Sequence, residues 1–275
     1  MNPWFEIFGV ILLAFSGAAA GKIFSYSRKS IRVWGYILPF VLIAIILLAK
    51  YNSSLAFVPP FSWLTAGRIK YVVLSMIITI GLTTPLAHLP YRTERIVTCI
   101  LMIVLVTYCS ILPFLVPVLI KTDLTKLETR FDSNGICRQS KEYTCGPAAA
   151  VTALNRLGLN AQEGEIAVLS YTSPVTGTLP QCLNEALNNR YNTEGLVSQY
   201  RNFDSVSQLK DERFTLAVIR DAFMLDHCVT VLDISETSIT IADPAIGMQS
   251  IPLEQFEKIW RFSGIVLKRN FTQKI

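Results

Sequence analysis

The sequence predicts an α-helical transmembrane bundle followed by an α+β domain with an antiparallel sheet. The first observation is composition: 51% of the 275 residues are hydrophobic, 16% are charged and the mean hydropathy is +0.42, which is too apolar for a soluble globule or a disordered chain. The second is charge distribution. Residues 1–120 hold nine Lys and Arg and two Asp and Glu, whereas residues 121–275 hold sixteen and eighteen. The excess positive charge lies where basic residues flank membrane helices, so no nucleic acid partner is expected.

Four apolar stretches predict a four-helix transmembrane domain over residues 1–120. Each stretch is near or above the roughly 17–25 residues that cross a bilayer as a helix. They cover residues 4–20, 33–49, 71–87 and 96–120. No Asp, Glu, Lys or Arg lies in the middle of a span, so an ion or proton pathway is not expected. The lipid bilayer is therefore a predicted partner, and the chain is predicted to be a multi-pass protein of a bacterial inner or plasma membrane.

Loop charge predicts the orientation of these spans. Six Lys and Arg lie in the two short turns after the first and third spans, against three in the middle loop and two just past the fourth span. Short basic turns favour the cytoplasmic side of a membrane. Because four spans put both termini on one side, the C-terminal domain is expected to be extracytoplasmic.

The small-residue run at positions 17–21 resembles a signal-peptidase site. A signal peptide carries basic residues before its apolar run, whereas here the basic residues follow the run and the early charge is Glu6. The first span is therefore expected to remain uncleaved.

From residue 121 the composition becomes that of a folded domain with one core. Residues 121–134 are predicted to be a connector and residues 135–275 the domain. Helical patterns precede strands rich in Val, Ile and Thr, an order typical of α+β domains. Helices are predicted over 147–157, 163–169, 179–188 and 253–260, and strands over 215–220, 229–234, 239–242 and 264–267. The sequence contains no phosphate-binding glycine loop and no zinc spacing, so no metal or other cofactor is expected.

Cys145 is the candidate nucleophile. It stands immediately before an Ala-rich helical pattern, and the free N–H groups at a helix start stabilise a thiolate. Pro147 suits the first turn of a helix, where a missing N–H costs little. Gly146 allows a substrate backbone to approach the sulfur closely.

A thiol nucleophile needs a base and a group that orients the base. His227 is the one histidine of the second half. It opens a predicted strand whose partner ends at Asp243. Their index sum, 470, is centred inside the polar turn 235–238, so the two residues are expected at or near opposed positions, roughly 5 Å apart between Cβ atoms. Gln139, six residues before the cysteine, is the candidate amide donor to the oxyanion formed on the attacked carbonyl.

This pattern resembles the papain-clan cysteine peptidases that process bacteriocins and remove double-glycine leaders. The resemblance covers about residues 137–267. It rests on Gln139-x5-Cys145-Gly146-Pro147-Ala148-Ala149, on His227 opening a strand, on Ile241-Ala242-Asp243-Pro244 after the next strand, and on the closing segment Glu254-Gln255-Phe256-x3-Trp260. The resemblance implies a papain-like fold and a cysteine peptidase that hydrolyses a peptide bond. The implied roles are Cys145 as nucleophile, His227 as base, Asp243 as its orienting group and Gln139 as oxyanion donor.

Two departures leave the substrate open. Thr144 stands where family members fused to export transporters usually carry Asp, and Cys228 follows the histidine where an aromatic residue is common. The predicted partners are a secreted or membrane-associated peptide or protein substrate and other membrane proteins of a secretion or processing system. A non-catalytic peptide-binding scaffold and acyl transfer to another amine are the alternative functions.

The remaining cysteines suggest packing or crosslinking. Cys99 and Cys109 lie in the fourth span and are expected to pack there. Outside the cytoplasm, two of Cys137, Cys182 and Cys228 can form a disulfide, and the sequence leaves their pairing open.

Overall fold

The computed structural model describes residues 3–65, 67–212, 214–222 and 225–270. Its contacts divide the chain into a first unit, residues 1–51 with 58–118, and a second unit, residues 52–57 with 119–275. The predicted domain boundaries at residues 120 and 134 stay predictions. The predicted connector carries a short helix and a two-residue strand.

The first unit is helical. An apolar segment in a bilayer has no water to bond its backbone, and a helix satisfies every backbone N–H and carbonyl within the segment. Its elements are α1 (Pro3–Tyr26), α2 (Lys29–Tyr51), α3 (Phe61–Thr65), α4 (Ile69–Leu86), α5 (Arg92–Val106), a π-helical turn (Thr107–Ile111) and α6 (Leu112–Leu119). Within the described residues, four helical segments are long and apolar enough to cross a membrane: Trp4–Tyr26, Lys29–Tyr51, Ile69–Leu86 and Arg92–Leu119. The prediction of four long apolar helices is confirmed, and the first two extend beyond the predicted stretches into their polar ends.

Helix α1 packs closely against α4 through small residues. A Cβ on Gly17 would overlap Thr79 Oγ1 and would lie 3.3 Å from the Met76 backbone. A Cβ on Gly21 would lie 2.8 Å from Thr83 Cβ. Glycines four positions apart let two helix backbones approach each other. The run that resembles a signal-peptidase site therefore forms a helix-packing face.

An ion pair joins the starts of α1 and α4. Arg68 Nη1 lies 2.7 Å from Glu6 Oε2, and both side chains are about one-tenth exposed. The Arg68 guanidinium also lies over the Phe114 ring, 4.4 Å from its centroid. The pairing neutralises two charges that would be costly to bury singly.

The second unit confirms the α+β prediction. Its helices are α7 (Lys121–Thr125), α8 (Cys145–Arg156), α9 (Glu163–Leu169), α10 (Pro180–Tyr191), α11 (Ser207–Lys210) and α12 (Leu253–Ile259). Its strands are β1 (Arg130–Phe131), β2 (Cys137–Arg138), β3 (Leu196–Asn202), β4 (Phe214–Ala222), β5 (Leu225–Ile234), β6 (Ser238–Asp243), β7 (Gly247–Pro252) and β8 (Trp260–Arg269). Strands β3 to β8 form an antiparallel sheet in the order β3-β8-β4-β5-β6-β7, and β1 pairs with β2.

Helix α8 lies on the sheet because its inward residues are small. Residues 148–150 are alanines that are fully buried, and the Thr230 hydroxyl of β5 donates to the Ala149 carbonyl at 2.8 Å. A second hydrophobic cluster includes residues of β4, β5, β6 and α12, with the Trp260 ring 5.3 Å from Phe203 and 5.6 Å from Phe256. The start of α8 is thus held at a fixed position relative to β5.

The segment between α2 and α3 belongs to the second unit. A 3₁₀ turn, Ser53–Phe57, contacts β3 and β8. The Phe57 ring lies 4.9 Å from the Tyr200 ring, and the Ser53 hydroxyl donates to the Arg261 carbonyl. The sequence did not predict this contact, since its partners lie more than 140 positions apart.

Replacing Gly17 with Ala is expected to destabilise the helical unit by about 1–3 kcal/mol, because the added methyl overpacks the interface of α1 and α4. Gly9 on the same helix is the matched control, since a Cβ there meets nothing within 4 Å. Thermal unfolding of the full chain in detergent compares the two variants. Equal melting temperatures for Gly17→Ala and Gly9→Ala would contradict the assigned packing face.

Candidate active site

Cys145 is the first residue of α8 and is partly exposed. The preceding turn is closed by Thr144, whose hydroxyl accepts from the Lys141 N–H at 3.1 Å and donates to the Lys141 carbonyl at 2.9 Å. Thr144 is fully buried. On the other side, a Cβ on Gly146 would lie 3.0 Å from Thr178 Cβ. Cys145 therefore follows a hydrogen-bonded turn, and Thr178 leaves little room for a side chain on the residue after it.

His227 connects Cys145 to Asp243. Its Nε2 lies 2.9 Å from Asp243 Oδ1, and the Cys145 sulfur lies close enough to the ring to raise the pKa of the histidine. Because Nε2 is engaged by the carboxylate, Nδ1 is the nitrogen left for the sulfur. Asp243 Oδ1 also accepts from the Ala245 N–H at 2.7 Å and the Ile246 N–H at 3.3 Å. The structure thus brings together three of the four predicted site residues.

The expected strand register is wrong by two positions. Thr230 lies opposite Ala242 and Val231 opposite Ile241, so His227 and Asp243 are not directly opposed. The hairpin turn is closed by the Ser235 N–H and the Ser238 carbonyl, and its centre lies beyond residue 235. An irregularity after Val231 shifts the register again. The two residues nevertheless meet, because their side chains span the offset.

The charges of His227 and Asp243 follow from their contacts with each other and from the nearby Cys145. Burial alone would lower the pKa of His227, but hydrogen bonds with Asp243 and Cys145, and their negative charge, raise it to about 10. Burial would raise the pKa of Asp243, whereas His227 and the amides of Ala245 and Ile246 lower it. At neutral pH an imidazolium therefore lies between the carboxylate and the sulfur.

Gln139 follows β2 and is tied to the turn that carries Asp243. Its backbone N–H donates to the Pro244 carbonyl at 3.0 Å, and the Arg138 guanidinium binds the Ala245 carbonyl. The Gln139 side-chain oxygen is buried without a hydrogen-bond partner among the described residues.

Two acidic residues next to predicted site residues, Asp226 and Glu163, bind other partners. Asp226, which precedes His227, pairs with Arg261 at 2.9 Å. Glu163 is fully buried and binds Ser140, the residue after Gln139. The sequence assigned Glu163 no role because a charged residue at a helix start is ordinarily solvated.

Among the described residues, no group of three or more His, Cys, Asp or Glu side chains is placed to hold a metal ion.

The other cysteines are poor nucleophiles or lie elsewhere. All six cysteines fall within the described ranges, and no disulfide joins them. Burial and the Glu163 carboxylate raise the pKa of Cys137 to about 12. Burial, together with the charges of Cys145 and Asp243, raises the pKa of Cys228 well above its ordinary value. Both thiols therefore stay neutral at physiological pH.

Comparison with known proteins identifies relatives of the second unit. The model of the Peptidase C39 family matches residues 133–272. An uncharacterized protein of Methanothermobacter thermautotrophicus is 27% identical over 143 residues, which are 52% of this chain and 94% of that protein. An uncharacterized protein of Methanothermobacter marburgensis is 31% identical over 134 residues, 49% of this chain and 88% of that protein. The crystal structure of the peptidase domain of Streptococcus ComA, a bi-functional ABC transporter of a quorum-sensing pathway, has a TM-score of 0.42 and 23% identity, covering 48% of this chain and 96% of that domain.

The raised pKa of His227 predicts a distinctive titration. The chain has two histidines, so ¹⁵N-histidine labelling yields two rings, and His88→Ala assigns them. We expect His227 to stay protonated to about pH 10, and Asp243→Ala to lower its pKa, since burial is then opposed by fewer favourable contacts. Asp226→Ala is the matched control and is expected to leave the midpoint within about one unit. A titration midpoint of wild-type His227 near the ordinary value of about 6.5 would contradict its assigned contacts with Asp243 and Cys145.

Proposed function

The chain belongs to the peptidase C39 family, and we propose that it is a membrane-anchored cysteine peptidase that hydrolyses a peptide bond in a secreted or membrane-associated peptide. The observation that carries the proposal is the hydrogen bond of 2.9 Å between His227 and Asp243, on an imidazole whose pKa is raised by both Asp243 and Cys145. A nucleophile, a base and an orienting carboxylate in this order are what peptide cleavage by a thiol requires. A protein that only binds peptides has no need of a protonated imidazole beside a sulfur.

In the proposed acylation step, the Cys145 thiolate attacks the carbonyl carbon of the scissile peptide bond. The carbonyl π electrons move to oxygen, and the resulting oxyanion accepts a hydrogen bond from the Gln139 amide. Loss of one such donor typically costs about 3–4 kcal/mol of transition-state stabilisation. As the C–N bond breaks, the imidazolium of His227 gives its Nδ1 proton to the leaving amine, and a thioester remains on Cys145.

Deacylation uses the same residues in reverse. Neutral His227 takes a proton from water, whose oxygen attacks the thioester carbonyl, and collapse of the second tetrahedral intermediate releases the acid and the thiolate. Asp243 remains a carboxylate throughout. Its hydrogen bond at 2.9 Å keeps Nε2 protonated and holds Nδ1 toward the sulfur.

We propose leader removal as the specific reaction, on the strength of the family resemblance. The Thr144 departure does not disturb the start of α8, since its hydroxyl satisfies both the N–H and the carbonyl of Lys141. A carboxylate there would accept from the N–H but would repel the carbonyl oxygen.

The proposed orientation puts the peptidase domain outside the cytoplasm. Its main support is the six Lys and Arg in the two short turns of the helical unit. At the opposite end of the helices, at the starts of α1 and α4, the positive charge of Arg68 is paired with Glu6.

Cys145→Ala is expected to abolish maturation of the substrate peptide. The measurement compares secreted peptides from cells carrying either residue, together with cleavage of a synthetic double-glycine leader peptide by the purified full chain. We expect a loss of more than about 1000-fold, since nothing replaces the nucleophile. Cys182→Ala, another partly exposed cysteine, is the control and is expected to cleave normally.

The products decide between this reaction and its rivals. Undiminished cleavage by Cys145→Ala would remove the proposed mechanism. Wild-type protein that binds the peptide without cleaving it would instead be a scaffold. A product carrying a new amide in place of a free acid, seen by mass spectrometry, would indicate acyl transfer.

A further inference from the structure

We propose that Glu163 is a positioning residue of this site, which sets the direction of the Gln139 side chain through Ser140. The inference rests on the proposed function. Glu163 opens α9, and its side chain is fully buried. A buried carboxylate is costly unless both oxygens are paired. Its partners therefore indicate which part of the molecule it orders.

Both oxygens of this carboxylate bind one residue. The Ser140 backbone N–H donates to Glu163 Oε1 at 2.9 Å, and the Ser140 hydroxyl lies 2.6 Å from Oε2. The same hydroxyl lies 3.1 Å from the Glu128 carbonyl. Having one proton, it donates to the closer and charged acceptor. Ser140 is thus held at its backbone and at its side chain by a single group.

Glu163 is itself held from outside the catalytic loop. Its backbone N–H donates to Thr129 Oγ1 at 2.8 Å. A Cβ on the next residue, Gly164, would lie 2.5 Å from the Leu124 carbonyl of α7, so the start of α9 is pressed against that helix. The carboxylate therefore acts as a fixed anchor and does not follow movements of the loop that it binds.

The anchored residue stands between the proposed oxyanion donor and the turn before the nucleophile. On one side the Gln139 N–H is bonded to Pro244, beside Asp243. On the other side the Lys141–Thr144 turn leads into Cys145. With consecutive N–H groups held at Pro244 and Glu163, the backbone that carries the Gln139 side chain has one orientation. Glu163 is thereby expected to affect the transition state and to leave substrate binding and the sulfur unchanged.

The test compares Glu163→Ala with Glu165→Ala on the same helix, whose side chain pairs with Arg190 at a partly exposed position. The full chain in detergent is assayed with a peptide ending in Gly-Gly coupled to aminomethylcoumarin. For Glu163→Ala we expect kcat to fall about 10- to 100-fold with KM unchanged within twofold. Alkylation of Cys145 by iodoacetamide is expected to stay within twofold, and Glu165→Ala to behave as wild type.

Two conservative variants keep the proposal testable where Glu163→Ala folds poorly. Glu163→Gln is expected to recover kcat to within about threefold of wild type, because its carbonyl still accepts from Ser140 and the hydroxyl has Glu128 as an alternative acceptor. Ser140→Ala is expected to lower kcat about threefold with KM unchanged.

A double-mutant cycle with Gln139→Ala separates positioning from general structural support. If Glu163 acts through Gln139, neither Glu163→Ala nor Ser140→Ala lowers kcat further in the Gln139→Ala background. Losses of equal size in both backgrounds, or an unchanged kcat in the single variants, would overturn the proposal. Failure of the proposed function is seen separately, as equal cleavage by wild type and Cys145→Ala.

Discussion

The hydrogen bond between His227 and Asp243, 2.9 Å long, is the contact on which the rest of the site depends. It selects the imidazole nitrogen that faces Cys145, and it offsets the cost of placing an imidazolium in a half-buried position. Asp243 can do this because the Ala245 and Ile246 amides stabilise its charge. The turn after β6 thus supplies the carboxylate and also the amides that stabilise it.

The scaffold around this contact has two layers. The alanine face of α8 lies on the sheet and fixes the position of Cys145 relative to β5, and the hydrogen bond from Thr230 to Ala149 links the two elements directly. The segment that carries Gln139 is then tied to the Asp243 turn through Pro244 and to α9 through Glu163. Each candidate site residue is therefore held by an element other than its own, which keeps the geometry of a polar site fixed.

The sequence predicted the parts of this arrangement that depend on local chemistry. The helix next to Cys145, predicted from residue 147 and observed from Cys145, the strand of His227 and the four apolar helices follow from spacing and composition. The register of β5 and β6 was missed because it depends on how the Ser235 turn closes and on an irregularity after Val231. Glu163 was missed because its partner lies 23 positions away in a loop. The packing role of Gly17 requires knowledge of which helix lies opposite, and only tertiary structure supplies it.

Covalent labelling with a peptide that ends in Gly-Gly chloromethyl ketone tests most directly whether His227 activates the Cys145 sulfur. The adducts are mapped by mass spectrometry on the intact chain. We expect one adduct, on Cys145 among the six cysteines, and its loss in His227→Ala. Labelling spread over the other thiols, or labelling of Cys145 that is unaffected by His227→Ala, would contradict an imidazole-activated sulfur.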